Sequence, residues 1–154
     1  MDKEGIKTLM KEIPLLNKLD DKEIDLMAPY LDYRKEFDDS IIIKEGEIGD
    51  SLFYIVSGEV KVSVHTPVGS DPLIMLGKGE VIGELSIMSL NNKRSATVTS
   101  VSEIELLILS KKNYESLVEK HNRIAFKILE SITSNLCERI KQQSNQLVFL
   151  RLFG

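Results

Sequence analysis

The side-chain period changes twice along this chain, and each change narrows the architectures open to it. From residue 3 to 33 the apolar residues recur at helical spacing: Ile6, Leu9, Met10 and Ile13 share a face until Pro14 interrupts the run. A second short helix follows, with Asp20 as its cap, Glu23 as the reciprocal partner, and Ile24, Met27 and Leu31 as its buried stripe. From about 36 to 109 the period is two, most plainly in EVKVSVH, where Val60, Val62 and Val64 face one way and Lys61, Ser63 and His65 the other. The strand-like runs are IIIKE (41–45), SLFYIVS (51–57), EVKVSVH (59–65), PLIML (72–76), SATVTSV (95–101) and EIELLIL (103–109), parted by EGEIGD, SGE and PVGSD. Short antiparallel strands at this spacing predict a sandwich, a barrel or a jelly-roll-like closed sheet with helices at either end.

Helical sequence then returns in SKKNYESLVEK, capped by Ser110, and in a long run from His121 that lacks Gly and Pro for nearly thirty residues. In that run Ile128, Ile132, Leu136 and Ile140 form one apolar edge, and Ala125, Leu129 and Leu147 a second. The helix either covers the open end of the barrel with both edges or gives one of them to a second copy; the dimer through 122–150 is the expected arrangement. The chain reads as one domain over 1–154, with N-terminal helices at 1–35, the β region at 36–110 and C-terminal helices at 111–150.

Any anion bound here must be caught locally, because 20 Lys and Arg against 24 Asp and Glu leave a net charge of -4, with no general pull towards nucleic acid or an anionic membrane. The single cysteine, Cys137, has no internal disulfide partner and reads as a small core or seam residue. The polar N-terminus MDKEGIKTLMKEI is unlike a signal peptide, and no apolar run reaches the roughly 20 residues of a membrane-spanning helix. A cytoplasmic protein is expected.

One segment joins charge to apolar sequence: GEVIGELSIMSLNNKRSATV, residues 79–98. Gly77, Gly79 and Gly83 miss the dinucleotide fingerprint by one residue and lie in no βαβ unit, and no Gly-Lys-Ser/Thr follows for a Walker loop. Gly83, Glu84, Leu85 and Ser86 instead open what reads as one turn of helix, where Gly83 allows close backbone approach and the following N–H groups favour an anion. Arg94 offers a bidentate contact to that anion and Ser95 a hydroxyl. Glu84 would repel a phosphate but can accept a hydrogen bond from a sugar hydroxyl, with Arg94 offsetting its charge. A ligand with phosphate and ribose hydroxyl side by side is a 3′,5′-cyclic nucleotide.

The segment resembles the phosphate-binding cassette of cyclic-nucleotide-binding domains, with Ile82, Gly83, Glu84, Leu85 and Ser86 in its first half and Arg94, Ser95, Ala96, Thr97 and Val98 in its second. The resemblance extends to the turn glycines of EGEIGDSLFYIVSGEVKV and to both sets of helices, and the step from Glu84 to Arg94 is similar to that of the bacterial catabolite-activator branch. It implies a β-roll closed by a long C-terminal lid helix, ribose contacts at Gly83 and Glu84, and phosphate contacts at Arg94, Ser95, Leu85 and Ser86. Ile74 and Leu76 would wall the base. The lid positions that carry hydroxyl residues in that branch fall on Arg139 and Ile140, so the chain departs from the pattern there; Arg139 would stack on the purine, bond its edge, or be a solvated charge.

The resemblance implies a regulatory module without chemistry of its own, with cAMP favoured over cGMP as its ligand and no catalytic cofactor. Two alternatives stand beside it. One is a structural relative without a ligand, in which Glu84 and Arg94 form a salt bridge. The other is the sensor half of a longer regulator, from which these residues alone would bind no DNA, since none remain for a helix-turn-helix. A metal-dependent oxygenase on a similar barrel would need clustered ligands, whereas His65 and His121 are far apart in sequence and read as exposed polar residues.

Overall fold

The computed structural model describes residues 1–153, with the side chains of 70–73 and 146–153 outside the description. Its N-terminal helices begin where acidic caps are available. The Asp2 carboxylate accepts from the Gly5 N–H at 2.9 Å and starts α1 (Lys3–Lys11). The reciprocal Asp20 and Glu23 box starts α2 (Asp21–Met27). A 3-10 turn, Ala28–Tyr30, then ends the helical run at Pro29, and the next residues form β1 (Leu31–Glu36). Helical spacing through residue 33 is therefore corrected: Leu31 is buried, but as the first residue of a strand.

Seven further strands follow: β2 (Ile41–Ile43), β3 (Ser51–Ser57), β4 (Val60–Thr66), β5 (Gly69–Leu76), β6 (Val81–Ile82), β7 (Thr97–Ser100) and β8 (Ile104–Ser110). They form two antiparallel four-stranded sheets, ordered β1-β8-β3-β6 and β2-β7-β4-β5. The expected alternation in EVKVSVH breaks midway, because the register between β4 and β5 shifts between Val62 and Ser63. Past that bulge Ser63 is buried and Val64 only half-buried.

The first sheet is covered on both faces, which explains why SLFYIVS and EIELLIL are nearly unbroken apolar runs. From β3, Leu52, Tyr54 and Val56 join Leu107 and Leu109 of β8 in a core shared with the helices. Phe53 and Ile55 join Ile104 and Leu106 in a second core inside the roll, with Ile43, Val60, Leu76, Ile82 and Val98.

The chain closes with α4 (Lys111–Lys120), capped by Ser110, and α5 (Asn122–Phe153). The first half of α5 buries Ile124, Ala125, Ile128 and Ile132 against the core that also holds Met10, Ile13, Leu16 and Met27. That half rests on the N-terminal helices and not on the barrel's open end. Glu23 fixes the arrangement, accepting from Lys127 Nζ at 2.6 Å. Leu129 and Ile140 are exposed, as is Phe126, and Leu147 lies outside the described side chains. Cys137 is exposed on α5 and so is no core residue. His65 is exposed as expected, but His121 packs edge-on against Tyr30, with 6.1 Å between ring centroids.

Candidate ligand-binding site

A cavity of about 300 Å³, at the lower end of the range for small-molecule sites, opens between the roll and α5. Ile43, Val62, Ile74, Leu76, Ile82 and Val98 give it an apolar floor, which extends the core inside the roll. Both expected wall residues, Ile74 and Leu76, are therefore cavity lining as well as core or its margin. Gly83, Glu84, Leu85, Ser86, Arg94 and Ser95 form the polar side, and Arg139 and Gln143 reach in from α5.

The polar side is built on a turn that only glycine tolerates well. Gly83 has φ +77°, and a Cβ there would overlap Arg94 and press on Ile43 and the Ser51 carbonyl. After it the chain enters the single turn α3 (Leu85–Met88), as expected, through the Ser86 N–H to Gly83 carbonyl bond of 3.3 Å. Ser86 is buried at the site and Leu85 is half exposed. The Asn91 carboxamide caps the loop before Arg94, its Oδ1 accepting from the Lys93 N–H at 3.2 Å. The loop is then tied to the β2–β3 connection by Gly49 N–H to the Asn92 carbonyl at 2.7 Å and Arg94 N–H to the Glu47 carbonyl at 2.8 Å.

Arg94 is buried and held on three sides. Its Nη1 donates to the Gly83 carbonyl at 2.9 Å and its Nη2 to the Ser51 carbonyl at 2.8 Å, while its guanidinium lies 5.8 Å from the Phe53 ring centroid. A side chain so fixed presents its charge to the cavity without much loss of rotamer freedom on binding. Gly49 is what leaves it room, since a Cβ there would overlap both the Arg94 guanidinium and the Ser86 hydroxyl. The sequence showed Gly49 only as a turn residue, because its neighbour across the site lies in a distant segment.

Glu84 has a different partner from the one its spacing predicts. Its carboxylate, 4% exposed, is bonded at Oε1 by Arg139 Nη1 at 3.2 Å, and among the described residues no ion pair joins it to Arg94. The structural salt bridge expected as the alternative is therefore absent, since Arg94 spends its donors on carbonyls. Burial pushes the Glu84 carboxyl above the usual carboxylate range, and the nearby Glu80 adds to this; its own N–H, Arg139 and Arg94 pull the other way. Arg139 also donates through Nη2 to Glu80 Oε2 at 2.8 Å and to the Val81 carbonyl at 2.7 Å. It is thus no solvated surface charge. Ile140, the neighbouring lid position, does not line the cavity and is 61% exposed, being about 100° further round the helix. Gln143, one turn beyond Arg139, lines the cavity where Ile140 does not.

Two antiparallel sheets rolled around an apolar cavity, with an arginine and a glutamate on its glycine turn and a helix across its mouth, define a class of small-ligand receptor domains. The family model for the cyclic nucleotide-binding domain matches residues 37–121, and the chain belongs to that family. It is 30% identical over 142 residues to the cyclic AMP receptor protein of Thermus thermophilus, covering 92% of this chain and 63% of that protein. Among solved structures, a cyclic nucleotide-binding domain from Methylobacillus flagellatus shares the fold with a TM-score of 0.82 at 24% identity, over 95% of this chain and 82% of that one. The regulatory domain of Toxoplasma gondii PKA, solved with cAMP, aligns at 29% identity with a TM-score of 0.64, over 74% of this chain and 43% of that one. The chain thus spans less than two thirds of the length of the Thermus protein. Among the described residues, no helix is long and apolar enough to cross a membrane.

Proposed function

We propose that this chain is a regulatory module that binds a 3′,5′-cyclic nucleotide, with cAMP favoured over cGMP, and passes the binding event on through α5. The observation that carries the reading is Arg94, a buried cation held by two carbonyls on the polar side of a cavity with an apolar floor. In the assigned roles Arg94 and Ser95, with the backbone of Leu85 and Ser86, take the cyclic phosphate. Glu84 and the Gly83 turn take the ribose, and Ile74 and Leu76 hold the base. The preference for cAMP rests on the Arg94-Ser95 pair and on the likeness to the Thermus cyclic AMP receptor protein. No step in this function calls for bond chemistry or a catalytic cofactor, and a cytoplasmic setting fits it.

Titration calorimetry with cAMP and cGMP tests the site directly. Wild type is expected to bind cAMP more tightly, and Arg94→Ala to lose about thirty- to a hundred-and-fiftyfold in affinity, since a buried charge-assisted contact contributes on the order of 2–3 kcal/mol. Equal affinity in wild type and variant would remove Arg94 from the site.

A second reading, the sensor portion of a larger catabolite-activator-type regulator, is favoured by the chain's coverage of only 63% of the Thermus relative. These 154 residues alone are expected to bind no specific DNA, and a shifted band in a gel assay would contradict that.

A further inference from the structure

The cation bonded to Glu84 comes from the lid helix and not from the cassette. Glu84 is almost completely enclosed, and Arg139 is its hydrogen-bonded counter-ion. Where it lines the cavity the guanidinium makes three bonds, to Glu84, Glu80 and the Val81 carbonyl, and these turn it towards the cassette. Its Nε is buried without a partner, and Gln143 is the other α5 residue that lines the cavity among the described residues.

A buried carboxylate accepts a hydroxyl strongly only while it is ionised, and an enclosed one keeps its charge only with a cation beside it. A carboxylate offers about four lone-pair sites, so one bond from Arg139 leaves room for a sugar hydroxyl. We propose that Arg139 is a positioning residue that holds Glu84 charged and aimed at the ribose 2′-hydroxyl, so that the sugar is recognised only while α5 is docked. This deepens the cyclic-nucleotide reading and rests on it.

The arrangement links two events through one ion pair. Lifting α5 removes the hydrogen-bonded cation and leaves Glu84 beside Glu80 with only its own N–H and the field of Arg94 to offset its charge, which weakens its grip on the sugar. By the same linkage a bound ribose favours the docked helix. The lid would therefore sense the sugar, whereas phosphate capture by Arg94 would not depend on α5.

A cycle between protein and ligand tests this. Affinities for cAMP and 2′-deoxy-cAMP are measured by calorimetry on wild type, Arg139→Met and Arg139→Lys, with circular dichroism to verify folding. Wild type is expected to prefer cAMP by about tenfold or more, the range for a hydrogen bond to a charged group. Arg139→Met should lose that preference, weakening cAMP by about the same factor and the deoxy ligand by less than about threefold. Arg139→Lys should recover part of it. Equal losses on both ligands would overturn the inference, since they indicate a structural or base-directed role, and tighter binding in Arg139→Met would overturn it by making the arginine a competitor. A wild type that binds both ligands alike overturns the inference but leaves the phosphate reading standing; one that binds neither overturns the cyclic-nucleotide reading as well. Should Arg139→Met fail to fold, Glu84→Gln, which needs no counter-ion, replaces it as background: adding Arg139→Met there should leave cAMP affinity unchanged, and a further tenfold loss would overturn the inference.

Discussion

Gly49 shows how a residue without a side chain can govern a charged one. A methyl at this position would overlap the Arg94 guanidinium and the Ser86 hydroxyl, and the guanidinium, as the far end of a flexible chain, is the group able to move. Gly49→Ala should therefore still fold, with a lowered melting temperature as the Arg94 bonds to the Gly83 and Ser51 carbonyls are disturbed, while weakening cAMP by about ten- to a hundredfold, the loss of one charge-assisted contact. Calorimetry beside a thermal melt checks the split, and unchanged affinity would show that Arg94 has room to spare. Glu23 gives the opposite case, a charge whose role is structural. Burial pushes its carboxyl up, but the Lys127 ammonium and the Asp20 N–H together outweigh this and hold it below the usual range. Because the folded-state value is depressed, its contribution is present above the unfolded-state value and lost as pH falls through the folded one. Glu23→Gln should cost about 1 kcal/mol at neutral pH, allowing for solvent screening, and flatten the acid limb of a stability-against-pH curve. An acid limb as steep as that of wild type would count against it.

At the scale of elements, what could be read from the sequence followed how local the determining interaction was. The caps at Asp20 and Ser110 were legible because each bonds a backbone group three residues away. The runs that became β3 and β8 were legible as strands from their apolar β-branched content, although only the packed helices explain why they do not alternate. β1 was misread because Leu31 lies four residues after Met27 and fits a helical stripe as well as a strand; Pro29, which ended the helix, was the signal to weigh. β6 has two residues, too few for any period. In the site, Gly83, Glu84 and Arg94 were legible as a motif held within one short segment. The Glu84 to Arg139 bond joins residues 55 apart, and Gly49 meets Arg94 across another loop, so neither pairing had a local trace.

For the whole molecule, partnership turns on the outer face of α5. Its inner face is used twice: Ile124, Ala125, Ile128 and Ile132 pack on the N-terminal helices, and about two turns beyond Ile132 the same face delivers Arg139 and Gln143 to the cavity. Beside it runs a second stripe at alternating three- and four-residue steps: Phe126 at 64% exposure, Leu129 at 39%, Thr133, the half-buried Leu136, and Ile140 at 61%. That spacing matches the a and d positions of a two-stranded coiled coil, and we propose that a second copy of α5 covers it, as expected of the 122–150 segment. A homodimer so formed would put the seam next to the residues that read the ligand, so that a shift of α5 at one site is felt at the other. Leu129→Lys with Ile140→Lys places two charges per chain on the seam and none on the inner face. The expected outcome is a dimer for wild type and a monomer for the double variant in analytical ultracentrifugation. The variant's melting temperature should no longer depend on protein concentration, as that of the wild-type dimer should. A wild-type chain that sediments as a monomer at high concentration would leave the stripe without its proposed partner, and a variant that remains dimeric would place the seam elsewhere.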